Sequence, residues 1–209
     1  MTKLILTRHG ETVWNVEKRV QGHQDSPLSA QGLRQALLLA ERLKGEKIDL
    51  LYSSDMPRAL ATAHILQEML HLADPLTTPD LREMSFGELE GLVWQELRDR
   101  QSAFIKTWDT TPHLAEIPGG ETFQQVTDRA WRFLQGTLNS HPDTTIAIVT
   151  HGLTLKLLIT KMLGFGVHEW QETPWQHNTA LNIIEYRDQQ FIPLLLGDVS
   201  HLDPEDPPY

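Results

Sequence analysis

Lys3-Leu4-Ile5-Leu6-Thr7-Arg8-His9-Gly10 (KLILTRHG) passes from a near-continuous apolar run directly into an arginine, a histidine and a glycine. A short apolar run of this kind is the pattern of a strand buried on both faces. The pattern returns at 145–150 (TIAIVT), which again ends in a histidine and a glycine, His151-Gly152. Ligands on open parallel sheets bind beyond the carboxyl ends of the strands. A titratable side chain there, followed by a glycine that lets the backbone approach closely, suits a site better than a core. The ordinary reading of any one of the ten histidines is a hydrogen-bonded structural residue. His9 and His151 depart from it together because both fall where this architecture places ligands.

The flanking sequence supplies the rest of the sheet and its helices. Leu33, Ala36, Leu37, Ala40 and Leu43 predict one apolar face of a helix over 30–44, with Ser29 as its N-cap. A second strand is expected at 48–53 and a helix at 57–70, whose Pro57 is tolerated in the first turn. From 78 to 120 the periodicity weakens and Trp94, Phe104 and Trp108 are scattered. That stretch reads as an inserted cap with one helix near 93–108. A helix over 122–138, a largely apolar one over 153–163 and closing strands at 181–186 and 191–196 follow. The tail 201–209, with three prolines, reads as loose. Strands alternating with helices predict an α/β fold: a mostly parallel, doubly wound sheet flanked by helices, in a single domain over 1–209 with the cap inserted at about 78–120.

With 209 residues, 40% hydrophobic and 22% charged, the composition is that of an ordinary globular chain. The formal charge of -10 argues against nucleic acid or an anionic membrane as partner, so an anionic substrate would need a local basic pocket. Without cysteine, disulfides, thiolate nucleophiles and cysteine zinc sites are excluded. No apolar run reaches membrane-spanning length and the start lacks a signal-peptide pattern. The expected location is cytoplasmic. Arg58 lies in the first turn of its helix, where the dipole disfavours a cation unless an anion is held there. Either Arg8 or Arg58 alone is as readily explained by a nearby carboxylate. Two arginines and two histidines at strand and helix ends point to phosphate.

The run Leu6-Thr7-Arg8-His9-Gly10-Glu11-Thr12, with Trp14-Asn15, resembles the signature of the histidine phosphatase superfamily, also called phosphoglycerate mutase-like. The resemblance continues through Gln21-Gly22, Asp25 to Ser29, Gly32, Ser53-Ser54, Arg58-Ala59, Thr62, Glu83, Gly87, Gly91, Gly119-Gly120-Glu121 and His151-Gly152. It implies that His9 is the nucleophile that becomes phosphohistidine, with Arg8, Arg58 and His151 around the phosphoryl oxygens. Asn15, Gln21, Gly22 and Gly152 would add phosphate or substrate contacts. Glu83 would be the general acid and then the base, with no metal and no cofactor. Taken by themselves the residues leave Glu11, Glu88 and Glu90 as rivals. The apolar neighbours Leu81, Met84 and Phe86 give Glu83 a setting that could keep a carboxyl protonated.

The implied reaction is hydrolysis of a small phosphorylated metabolite. A phosphoglycerate mutase is the nearer alternative. That branch carries Arg-His-Tyr-Gly after the acid and an Arg-Arg pair in the insert, whereas this chain has Met84-Ser85-Phe86-Gly87 and separated Arg98, Arg100 and Lys106. A metal-dependent phosphatase and a non-catalytic phospholigand-binding relative are weaker alternatives, since arginines repel a metal ion and the full set of catalytic residue types is present. A homodimer is the one macromolecular partner entertained. Of the six tryptophans, Trp94, Trp108, Trp170 and Trp175 fall in irregular regions. They read first as core, and as a wall for a flat or apolar leaving group if they line the pocket.

Overall fold

The computed structural model describes residues 1–100 and 103–202. In chain order its elements are β1 (Thr2–Arg8), α1 (Val13–Val16), α2 (Ala30–Leu43), β2 (Leu50–Ser54), α3 (Pro57–Leu70), β3 (Leu76–Thr78), α4 (Trp94–Asp99), α5 (Ala103–Thr110), α6 (Phe123–Ser140), β4 (Thr145–Thr150), α7 (Gly152–Met162), β5 (Leu181–Arg187) and β6 (Gln190–Asp198). The strands form one sheet in the order β3-β2-β4-β1-β5-β6. The pairings β3-β2, β2-β4 and β4-β1 are parallel, and β1-β5 and β5-β6 are antiparallel.

Alternation along β1 sorts the core. Leu4 and Leu6 join Ala130, Leu134, Leu155 and Leu158 under α6 and α7. Ile5 faces the other way, with Leu39, Ala40, Ala59 and Ala63 from α2 and α3. The chain leaves β1 toward β2 and leaves β4 toward β5, in opposite directions across the sheet. A crevice opens between strands whose connections diverge in this way. Register Arg8↔Thr150 puts the two strand ends level, so His9 and His151 begin side by side.

Two expectations change. Leu33 and Leu37 are 46% and 44% exposed, and the buried face of α2 is Gly32, Gln35, Ala36, Leu39, Ala40 and Leu43. A polar glutamine inside and two leucines outside rotated the expected stripe. Between β3 and α6, two helices, α4 and α5, replace the single one expected. They cover a third apolar cluster that includes Val20, Met84, Phe86, Leu97, Phe123 and Leu153. Ser29 caps α2 as expected, its hydroxyl accepting from the Gly32 amide. Of the tail, 203–209 lies outside the described residues, while Leu202 is buried. Among the described residues no helix is long and apolar enough to cross a membrane.

Candidate active site

Beyond the carboxyl ends of β1 and β4 lies a cavity of about 440 Å³. Its floor is made of Arg8, His9, Arg58, Glu83 and Gly152, and Asn15, Gln21 and Gly22 stand beside it. Most of the site residues expected from sequence therefore share one cavity. His151 does not line it: fully buried, it packs its ring edge-on against His9, with centroids 5.2 Å apart.

The backbone of His9 is fixed from two sides. Its amide donates to Thr150 O (2.9 Å), extending the β1-β4 ladder, and its carbonyl accepts from Asn178 Nδ2 (3.0 Å). Its Nδ1 lies 2.7 Å from Gly10 O. A carbonyl can only accept, so in the neutral ring Nδ1 carries the proton and Nε2 keeps its lone pair. Burial, and then the charges of Arg58 and Arg8, hold the His9 imidazole well below its usual range. Burial and Arg58 do the same to His151. Both rings are neutral at pH 7.

Arg8 directs Nη1 to Gln176 O (3.0 Å). Burial lowers its guanidinium to about 10, opposed by the nearby Glu83 carboxylate, which leaves it charged at neutral pH. Arg58, only 1% exposed, pairs with Asp25 (2.9 Å) and donates to Gln24 O and Gly22 O. The carboxylate alternative for this arginine is thus realised, and Asp25 also accepts from the first-turn Arg58 amide at 3.4 Å. The guanidinium nevertheless lines the cavity. Arg58 Nε and His151 Nδ1 are buried without a hydrogen-bond partner among the described residues. A buried polar atom left so costs about 1–3 kcal/mol.

Glu83 sits in surroundings different from the apolar ones expected. Its carboxylate meets the N-terminus of α7: Oε1 accepts from the Thr154 amide and hydroxyl (both 3.1 Å), and Oε2 from the Leu153 amide (3.2 Å). A helix N-terminus is a natural seat for a carboxylate. The loop carrying Glu83 is held by residues that sequence reasoning missed. Arg129 donates to the carbonyls of Asp80, Arg82 and Glu83 and forks onto Glu121. The rival carboxylates are engaged elsewhere: Glu11 accepts from Ser29 Oγ (2.6 Å), Glu90 from the His23, Gln24 and Phe86 amides, and Glu88 is exposed. Glu83 is the carboxylate on the cavity wall among the described residues.

Asn15 and Gln21 are partly committed. Asn15 Oδ1 accepts from the Thr12 amide in a capping box, which leaves its NH₂ as the donor end. Gln21 Nε2 donates to Thr12 Oγ1 (2.8 Å), so it presents an oxygen, and a contact to phosphate requires the amide to turn over. Gln176 and Asn178 were also not anticipated, and Ser54 and Thr62, though part of the resembling motif, had been given no role. Gln176 and Asn178 bond to Arg8 and His9, and Ser54 and Thr62 to His151 and the Gly10 amide, from 52 to 169 positions away.

Residues 4–199 match the histidine phosphatase superfamily (branch 1). The chain belongs to the histidine phosphatase superfamily. It is a phosphatase enzyme of that superfamily. It is 36% identical over 207 residues to the metal-independent phosphoserine phosphatase of Arabidopsis thaliana, covering 97% of this chain and 84% of that one. It is 35% identical over 204 residues to phosphoglycerate mutase-like protein 4 of the same plant, covering 96% and 87%. The solved structure of Bacillus stearothermophilus YhfR superposes with a TM-score of 0.90 at 37% identity, over 96% of this chain and 99% of that one.

Much of the remaining wall is aromatic, with Lys18, Arg19 and Arg98 also on it. Trp14, Phe86, Trp94, Trp108, Phe123, Trp170 and Trp175 all face the cavity. Trp94 and Trp108 stack at 5.6 Å, and Phe86 and Phe123 meet Trp108 edge-on at 5.3 and 6.0 Å. The tryptophans of the insert are therefore core and wall at once.

Proposed function

We propose that this enzyme hydrolyses a small phosphomonoester with an apolar or aromatic leaving group through a phosphohistidine on His9. The observation that carries this reading is a neutral imidazole with a free Nε2 in the same cavity as the guanidinium of Arg58, whose buried Nε lacks an acceptor among the described residues. Phosphoryl oxygens are acceptors of the required charge.

In the first step the Nε2 lone pair forms the N–P bond as the P–O ester bond breaks. Arg8 and Arg58, which line the cavity, stabilise charge on the phosphoryl oxygens, the main demand of phosphoryl transfer, and His151 backs the His9 ring. Glu83 acts as the acid with a proton taken up when the like-charged phosphate enters beside it, and passes that proton to the leaving oxygen, Oε2 being the oxygen with the single, longer hydrogen bond. Water then attacks phosphorus, Glu83 takes a proton from it, and the N–P bond breaks to free His9 and phosphate. Asn15 and the Gln21-Gly22 loop border the oxygens, and Gly152 keeps the approach to Arg8 open, since a Cβ there would lie 3.3 Å from Arg8 Nε.

The aromatic wall argues for an apolar leaving group. Among the described residues Arg98 is the insert's one cation on the cavity, and it already pairs with Asp109 (3.2 Å) and lies over Trp94; Lys18 and Arg19, outside the insert, also line the cavity. That leaves no arginine pair in the insert for the small carboxylate a phosphoglycerate mutase must hold.

Acid-quench labelling tests the reading. His9→Ala should abolish both an acid-labile, alkali-stable phosphoenzyme and turnover, and a label persisting in that variant would remove His9 as nucleophile. Glu83→Gln should slow the burst on alkyl phosphates by about 10²–10⁴-fold, because an alkoxide must be protonated, and spare an activated aryl phosphate. An equal loss on both would make Glu83 a positioning group.

A further inference from the structure

A lysine ammonium is rarely buried without a carboxylate, because desolvation disfavours an unpaired charge. Lys156, in the middle of α7, is 4% exposed. Burial lowers its ammonium to about 8, with no neighbouring charge contributing. Nζ donates to the Thr173 carbonyl and lies 4.7 Å from the Trp170 ring centroid and 5.8 Å from that of Trp175. Both indoles face the cavity and Lys156 does not. The strap that carries them, 167–176, is fastened at the same place by Thr160 Oγ1 and Thr173 Oγ1 (2.8 Å), and Thr160 donates to Lys156 O (2.8 Å). At its far end the strap's Gln176 carbonyl accepts from Arg8. Leu155, Leu157, Leu158 and Ile159 show what otherwise fills this helix, and an apolar side chain at 156 would bury without a desolvation penalty. What the ammonium alone adds is a hydrogen bond to the strap and attraction to two indole faces.

We infer that Lys156 is a specificity-determining positioning residue, which seats the 167–176 strap from behind the cavity and thereby sets Trp170 and Trp175 against the leaving group of the substrate. The inference rests on the reading that the aromatic wall receives that group. Lys156→Met keeps the volume and removes the charge. It should raise KM for 1-naphthyl phosphate about tenfold, change kcat less than threefold, and leave KM for glycerol 2-phosphate within about twofold. Lys156→Arg should restore most of the loss, and Lys156→Gln, which can still donate to Thr173, should fall between and serves if the methionine variant does not fold. An equal rise in KM on both substrates, or none on either, overturns the inference.

Acrylamide quenching without substrate separates this inference from the reading beneath it. Quenching should increase in Lys156→Met and not when Trp170 and Trp175 are also phenylalanine. If the wild type does not prefer naphthyl over glycerol phosphate, the apolar-leaving-group reading fails, and the quenching still decides whether Lys156 holds the strap. Unchanged quenching overturns it.

Discussion

His9 and His151 owe their protonation to where they sit. Each would titrate near 6.5 in a solvated chain, and burial together with the arginine charges lowers both well below that. As pH falls through 6.5 the unfolded chain takes up protons that these rings refuse, so their contribution to stability is present above 6.5 and declines below it. Their imidazole Cε1–H resonances should keep neutral shifts from pH 8 to 6. A midpoint near 6.5 for His9 would mean that the ring is not held as described. His9, Arg8, Arg58 and His151 were legible because each stands next to an element end that the hydrophobic pattern marks. Arg129, Gln176, Asn178 and Lys156 were not, since their partners are brought together only by chain crossings.

At the scale of elements, α2 meets the chain that follows His9 by close backbone contact as well as through Gln35 Oε1, which accepts from the Glu11 amide. A Cβ on Gly32 would lie 1.9 Å from Glu11 O, and one on Gly10 would lie 2.4 Å from Gly32 O. The first turn of α2 thus rests directly on the chain that follows His9, and only glycines allow the approach. Helix propensity alone would make Gly32→Ala stabilising by about 1 kcal/mol. The contact reverses the sign, with an expected loss of about 1–3 kcal/mol in urea unfolding and a lower kcat as His9 shifts. Gly136 in α6 has nothing within 4 Å of its Cβ position. There Gly→Ala should stabilise by the propensity difference, and a matching gain at Gly32 would refute the backbone contact. The helix expected over 30–44 was right in extent to within a residue and right in its inward Ala36, Ala40 and Leu43, but wrong at Leu33 and Leu37, because periodicity cannot tell a buried Gln35 from an exposed Leu37.

The whole molecule carries a formal charge of -10, yet it concentrates Arg8 and Arg58 at one cavity. Vanadate, an anion that adopts the five-coordinate geometry of phosphoryl transfer, should bind the folded state alone. At a hundredfold excess over its Kd it should add about 2.7 kcal/mol, or about 5–10 °C in Tm for a chain of this size. Arg58→Ala should abolish most of the shift, and an undiminished shift would place the anion elsewhere.

By itself the sequence determined five of the six strands, β3 being the exception, most helix limits, the mostly parallel character of the sheet and the histidines at its strand ends. These depend on side-chain periodicity and on residues adjacent in the chain, so they can be read locally. The tertiary structure alone decided that His151 lies behind His9, that Glu83 meets the N-terminus of α7 instead of an apolar pocket, and that Arg58 pairs with Asp25. It also placed Lys156 behind two tryptophans. Each of these depends on strand order and on contacts between residues far apart in the chain, and a pattern confined to neighbouring residues carries no record of either.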